Sequence, residues 1–268
     1  MAYRTNMTAI STRGAELSDH TPGRRARAAL PLVLMYHSIA PYDSDPYQVT
    51  VHPRRFDQQM RWLRSRGLRG VSVREVLDAQ RAGAGRRVVG LTFDDGYADF
   101  AQHALPILTR YGFTGTVFAI AGRLGGENDW DPDGPRKPLL TAPQLRQVAD
   151  AGIEIGSHGL RHVRLPVADG AALADEVNAS RRLLMEVSGQ DVTGFCYPYG
   201  DIDGRVHDAV RAAGYGYGCA IWRSPLTGQH ALPRTFVGDA DSPLRMRAKR
   251  VRHRLTRGRA VAVAHHPG

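Results

Sequence analysis

Two adjacent carboxylates and a glycine end an apolar run at Thr92-Phe93-Asp94-Asp95-Gly96. At a strand end the chain turns, so both acids can face one cavity with different tasks, one binding a metal ion and the other taking a proton. Ser157-His158-Gly159-Leu160-Arg161-His162 places two histidines four apart. On a helical turn that spacing sets both imidazoles on one face, able to chelate a borderline ion such as Zn²⁺. Either motif alone has an ordinary reading, as a polar Asp-Gly turn or as a pair of solvated histidines. Together they make a three-ligand site with an open position, the arrangement of metal-assisted hydrolysis. In Phe195-Cys196-Tyr197-Pro198-Tyr199-Gly200, Pro198 removes a backbone donor and shapes a turn whose Tyr199 amide can face a developing oxyanion. A lone histidine, His37, follows the first apolar run.

Strand-like and helix-like segments alternate around these motifs. Leu32 to Tyr36, Val88 to Phe93, Gly115 to Ile120, Ile153 to Gly156, Thr193 to Tyr197, Tyr215 to Ile221 and Leu232 to Val237 read as strands. Helices are expected at Pro53 to Arg66, with Phe56, Met60 and Leu63 at helical spacing, and at about 98–110, 171–187 and 203–213. Two further helices open on capping boxes, Ser72 with Glu75 and Thr141 with Gln144. Strict βα alternation implies an α/β fold with parallel strands, either a barrel or an open doubly wound sheet. Four polar motifs at four strand ends match a barrel that carries its site on the C-terminal face. Residues 122–138 form a Gly/Pro/Asp-rich loop long enough to be functional.

With 268 residues and 42% apolar composition, the chain can bury a full core as one domain, and no apolar stretch approaches the ~18 residues of a membrane span. Cys196 and Cys219 have neither CxxC spacing nor a disulfide framework. Arg24 and Arg25 precede an apolar run, but that run is short and contains Pro31, so it reads as a buried strand and not as a signal peptide. A reducing, cytoplasmic setting is expected. Residues 1–30 read as a disordered lead, 31–241 as the catalytic domain and 242–268 as a basic C-terminal helix and tail. The net charge of +10 is almost wholly arginine. In the C-terminal segment Leu244, Ala248, Val251 and Leu255 recur at helical spacing, predicting a helix that docks this stripe on the barrel and turns its arginines outward. The basic segment lacks aromatic stacking residues, so no specific nucleic-acid partner is expected; contact with an anionic membrane or polymer is the functional alternative.

The order and spacing of TFDDG and SHxxxH resemble the polysaccharide deacetylases of carbohydrate esterase family 4, also called the NodB-homology family, over about Pro31 to Asp241. The resemblance implies a single-domain distorted (β/α) barrel and hydrolysis of an N-acetyl group on an amino sugar in a polysaccharide, oligosaccharide or glycoconjugate. By it Asp94 is the catalytic base, and Asp95, His158 and His162 hold one divalent ion, zinc first and cobalt or nickel as alternatives. Gly159 stands where the family usually has Ser or Thr, and Cys196 where it usually has the arginine that orients the base. The opening Met-Tyr-His and the late Leu232-Pro233-Arg234 resemble the branch that includes biofilm poly-N-acetylglucosamine deacetylases. That branch implies His37 as general acid and Arg234 as the orienting charge. Tyr199 and Pro198 are then the oxyanion and substrate turn. Rival readings are an amidase of a small biosynthetic intermediate and, from another class, a non-catalytic carbohydrate-binding protein.

Overall fold

The computed structural model describes residues 29–256. Residues 1–28 of the expected disordered lead, and the tail 257–268 with His265 and His266, lie outside them.

The chain runs β1 (Val33–Tyr36), β2 (Ser38–Ile39), β3 (Thr50–Val51), α1 (Pro53–Ser65), β4 (Arg69–Val71), α2 (Val73–Arg81) and β5 (Val88–Phe93). It continues through α3 (Leu105–Tyr111), β6 (Thr116–Ala119), α4 (Ala142–Asp150), β7 (Glu154–Ser157), α5 (Gly170–Ala174), α6 (Ser180–Ser188) and β8 (Gly194–Cys196). The last elements are α7 (Gly204–Ala212), β9 (Tyr217–Ala220), β10 (Leu232–Pro233), β11 (Thr235–Phe236) and α8 (Pro243–Thr256). Local chemistry sets the helix starts. His52 caps α1 ahead of Pro53, and both expected capping boxes form, at Ser72/Glu75 and Thr141/Gln144.

The main sheet is parallel throughout, in the order β10-β9-β8-β7-β6-β5-β1-β11, with β4 added beside the start of β5. Its two ends are one segment of chain. Leu232 pairs with Cys219 of β9, and Thr235, three residues on, pairs with Leu34 of β1. The stretch expected as one strand over 232–237 therefore divides at Arg234 and nearly closes the sheet into a barrel. Alternation along each strand then separates inside from outside. Val33, Phe118, Cys196, Tyr217, Cys219 and Leu232 pack in one cluster within the barrel. Their neighbours Leu34, Val117 and Phe195 join the larger core beneath the helices, with Phe56, Leu108, Leu145 and Leu184.

Two helices are interrupted. A π turn at Phe100–Ala104 precedes α3, with the Leu105 amide bonded to the Phe100 carbonyl, because Pro106 in the next turn lacks a donor and crowds the preceding one. A second π turn, Asp175–Ala179, joins α5 to α6 and carries the fully buried Glu176.

The expected docking of α8 through its apolar stripe is corrected by the structure. Leu244 is 75% exposed, Val251 47% and Leu255 68%, and the residue inserted toward the barrel is Met246, at 2%. The reason is polar: Lys249 pairs with Asp241 and donates to the Phe236 carbonyl at 2.6 Å, and the His253 ring lies 3.2 Å from the Leu30 carbonyl. These tethers share a face with Met246 and rotate the stripe into solvent.

Candidate active site

The Asp-Asp-Gly turn at the end of β5 depends on its backbone. Asp95 and Gly96 both adopt left-handed conformations, φ 71° and 72°, which aspartate tolerates better than most residues and glycine adopts freely. The turn brings both carboxylates to the barrel mouth, where Asp94 and Asp95 are 3% and 5% exposed.

The guanidinium of Arg234 lies inside the barrel and saturates its donors. Nη1 donates to Asp94 Oδ1 at 2.6 Å and to Thr92 Oγ1 at 3.0 Å. Nη2 donates to Asp94 Oδ2 at 2.7 Å and to Cys196 Sγ at 3.1 Å, and Nε to the Ala220 carbonyl at 3.2 Å. Burial works to raise the pKa of Asp94, but Arg234 outweighs it by charge and hydrogen bonding, with His37 and His158 adding to the effect, so the carboxyl stays below its usual value. His37, just past β1, places Nε2 3.9 Å from Asp94 Oδ2.

His158 and His162 converge on Asp95, with Nε2 atoms 3.3 and 3.5 Å from Asp95 Oδ1. The expectation of a helical turn under this pair does not hold. Residues 158–164 form a loop in which Gly159 and His162 take positive φ, 78° and 62°, and the rings meet 5.1 Å apart because the loop folds on itself. His158 Nδ1 is 2.8 Å from the Cys196 carbonyl, so Nδ1 donates its proton there. Burial works against the charged ring, but Cys196, Asp95 and Asp94 outweigh it and hold the His158 pKa well above its usual value, so that a metal ion would take the place of the Nε2 proton that faces Asp95. Burial pushes His162 down to about 4 against the opposing charge of Asp95, so it is neutral at pH 7, as a ligand must be. Asp95, His158 and His162 offer donor atoms all within 4.8 Å of one another. Asp94, His158 and Cys196 also cluster, but Arg234 occupies that carboxylate, and burial raises the Cys196 thiol toward its neutral form.

Two further residues at the site carry little signal in the sequence. Glu176 accepts from the Leu160 and Arg161 amides at 2.7 and 3.1 Å and from Arg161 Nε at 3.0 Å, clamping the loop between the two histidines. A Cβ at position 159 would lie 2.9 Å from Glu176 Oε2, so the space beside Gly159 is taken by a buried carboxylate from the π turn behind it. Its only sequence signal is an acid on the apolar stripe of Leu173, Val177 and Leu184. Trp130, from the 122–138 loop, lies against His162 with centroids 4.5 Å apart and the rings tilted by 38°. Tyr199, at φ 58° after the buried Pro198, covers His162 from another side at 4.6 Å.

A parallel, nearly closed (β/α) barrel with paired carboxylates and histidines at its mouth defines a class of hydrolases, and comparison with known proteins agrees. The sequence profile of the polysaccharide deacetylases matches residues 81–218, and the chain belongs to that family. YxkH of Bacillus subtilis, which carries the name of a polysaccharide deacetylase, is 31% identical over 215 residues, covering 78% of this chain and 72% of YxkH. The poly-β-1,6-N-acetyl-D-glucosamine N-deacetylase of Staphylococcus aureus is 25% identical over 203 residues, 71% of this chain and 68% of that protein. Among solved structures, the Streptococcus pyogenes deacetylase PplD in complex with acetate has a TM-score of 0.70 at 25% identity, covering 83% of this chain and 98% of its own. IcaB from Ammonifex degensii shares the fold, with a TM-score of 0.67 at 24% identity over 83% of this chain and 97% of its own.

Proposed function

We propose that this protein is a metal-dependent deacetylase that hydrolyses the N-acetyl group of an amino sugar in a polysaccharide, oligosaccharide or glycoconjugate. The observation that carries the reading is the convergence of Asp95, His158 and His162 donor atoms within 4.8 Å, beside an Asp94 gripped by Arg234. The donor set of one carboxylate and two imidazoles fits zinc, and also cobalt or nickel. Such an ion supplies Lewis acidity toward the acyl oxygen and acidifies water.

The chain's own residues do the rest. Asp94, ionised and fixed by Arg234, takes a proton from the attacking water. His37, on the first strand end of the same mouth, delivers a proton to the leaving nitrogen, which an amide requires because an amine anion leaves poorly. The Tyr199 amide, in the turn shaped by Pro198, faces the oxyanion. Tyr199, 39% exposed, and Trp222, 73% exposed just past β9, offer rings of the kind sugars stack on. The S. aureus relative's named substrate and the acetate bound to PplD point the same way.

The test is release of acetate and free amine from acetylated chito-oligomers and poly-N-acetylglucosamine fragments, by protein reconstituted with Zn²⁺, Co²⁺ or Ni²⁺. Activity abolished by chelation and restored by metal is expected. Turnover confined to acetylated small molecules would move the function to an amidase, and full activity in metal-free protein would overturn the mechanism.

A further inference from the structure

Helix α8 presents its apolar side to water. Met246, Lys249, Arg250 and His253 lie toward the protein, and diametrically opposite run Leu244, Ala248, Val251 and Leu255, all exposed. The stripe is roughly 16 Å long at helical rise. At 100° per residue, Arg245 and Arg252 border it on one margin and Arg247 and Arg254 on the other, and Pro243–Thr256 contains no acidic residue.

We infer that α8 is an interfacial anchor that lays the barrel against an anionic lipid surface. Charge complementarity selects this occupant. The two ends of the chain outside the described residues, 1–28 and 257–268, each hold more arginines than acids, and a second copy would set the same cations face to face. A nucleic acid or anionic polysaccharide would match the arginines but leave Leu244, Val251 and Leu255 in water. A bilayer with acidic headgroups satisfies both, since the stripe enters the acyl boundary while the arginines on either margin extend to the phosphates. Helix α8 starts beside Asp241, past the site-bearing end of β11, and reaches Leu30, ahead of β1, by the His253 contact. It therefore lies along the side of the barrel and leaves the mouth open.

The experiment is co-sedimentation of the full chain with vesicles of phosphatidylcholine containing phosphatidylglycerol, against phosphatidylcholine alone, at low and high salt. Two variants accompany it: Leu244→Ser/Val251→Ser/Leu255→Ser, and Arg247→Gln/Arg252→Gln. Thermal melting serves as a control, because neither set touches a buried residue. Binding should require the anionic lipid, weaken with salt, fall roughly five-fold per arginine replaced, and fall at least as far when the stripe becomes polar. Binding that ignores the serine variant would reduce the helix to a simple cationic patch and overturn the anchor. So would absence of binding at low salt, or a dimer of the wild type that the serine variant dissolves.

Discussion

Arg234 and Asp94 are 140 residues apart in sequence and form a two-point ion pair, Nη1 to Oδ1 at 2.6 Å and Nη2 to Oδ2 at 2.7 Å. The charge that faces Asp94 thus enters from the segment that closes the barrel. Removing the guanidinium leaves burial, which raises the Asp94 pKa, without its main opponent. A base works only when ionised, so Arg234→Gln should move the acidic limb of kcat/KM to higher pH, while Arg234→Lys should move it less. The pair also supports folding: a depressed carboxyl stabilises the fold above its unfolded pKa and loses that contribution as pH falls through the folded value. Breaking a buried pair costs about 3–5 kcal/mol, so the glutamine variant should also melt earlier. An unchanged acidic limb in a folded Arg234→Gln protein would show that Arg234 does not tune the base.

The neighbouring acids should separate by assay. Asp94→Asn should lower the rate by about 10²–10⁴-fold with metal content intact, since Asp94 faces Arg234. Asp95→Asn and His162→Ala should lose metal on dialysis, because both contribute to the donor cluster. Elemental analysis reads the difference, and equal metal loss from Asp94→Asn and Asp95→Asn would overturn the division of roles.

Glu176 should matter for metal although it is not a ligand. Glu176→Ala leaves the Leu160 and Arg161 amides without their acceptor, at about 1–3 kcal/mol for each buried group left unpaired. Residues that orient ligands typically contribute 10–100-fold to affinity. We expect a loss of that order in Zn²⁺ affinity, measured by chelator competition, and a smaller loss in Glu176→Gln, which keeps one acceptor oxygen. A lowered melting temperature with unchanged affinity would make Glu176 a purely structural residue.

Much of this arrangement was legible because strand ends announce themselves. TFDDG and SHxxxH each close an apolar run, and parallel alternation brings such ends to one mouth. Arg234 was tied to the base Asp94 only through the family resemblance, since nothing in a linear pattern shows one residue joining both edges of a sheet. Glu176 was hidden by its helix, where a π turn places it against a loop sixteen residues upstream. The α8 stripe is legible in the sequence, but its orientation is not. Periodicity identifies an apolar face, whereas Met246 and the polar tethers of Lys249 and His253 decide which face is buried.

The general acid can be tested between two histidine sources. His37 stands 3.9 Å from Asp94 at the site mouth, fixed between β1 and β2, with its Nδ1 buried and without a hydrogen-bond partner among the described residues. His265 and His266 lie outside the described residues. A proton donor must be held within hydrogen-bond reach of the leaving atom, and His37 is already set beside Asp94. His37→Ala should therefore slow turnover by about 10²–10⁴-fold while Zn²⁺ affinity, read by chelator competition, stays near wild type. Truncation after Ala260 should change kcat little. An amide substrate depends on the acid more than an activated ester does, because the ester's leaving group needs no proton. The His37→Ala defect should accordingly shrink when 4-nitrophenyl acetate replaces the acetylated sugar. If His37→Ala turned over the amide at the wild-type rate while the truncated protein, folded and metal-loaded, did not, the acid would belong to the tail.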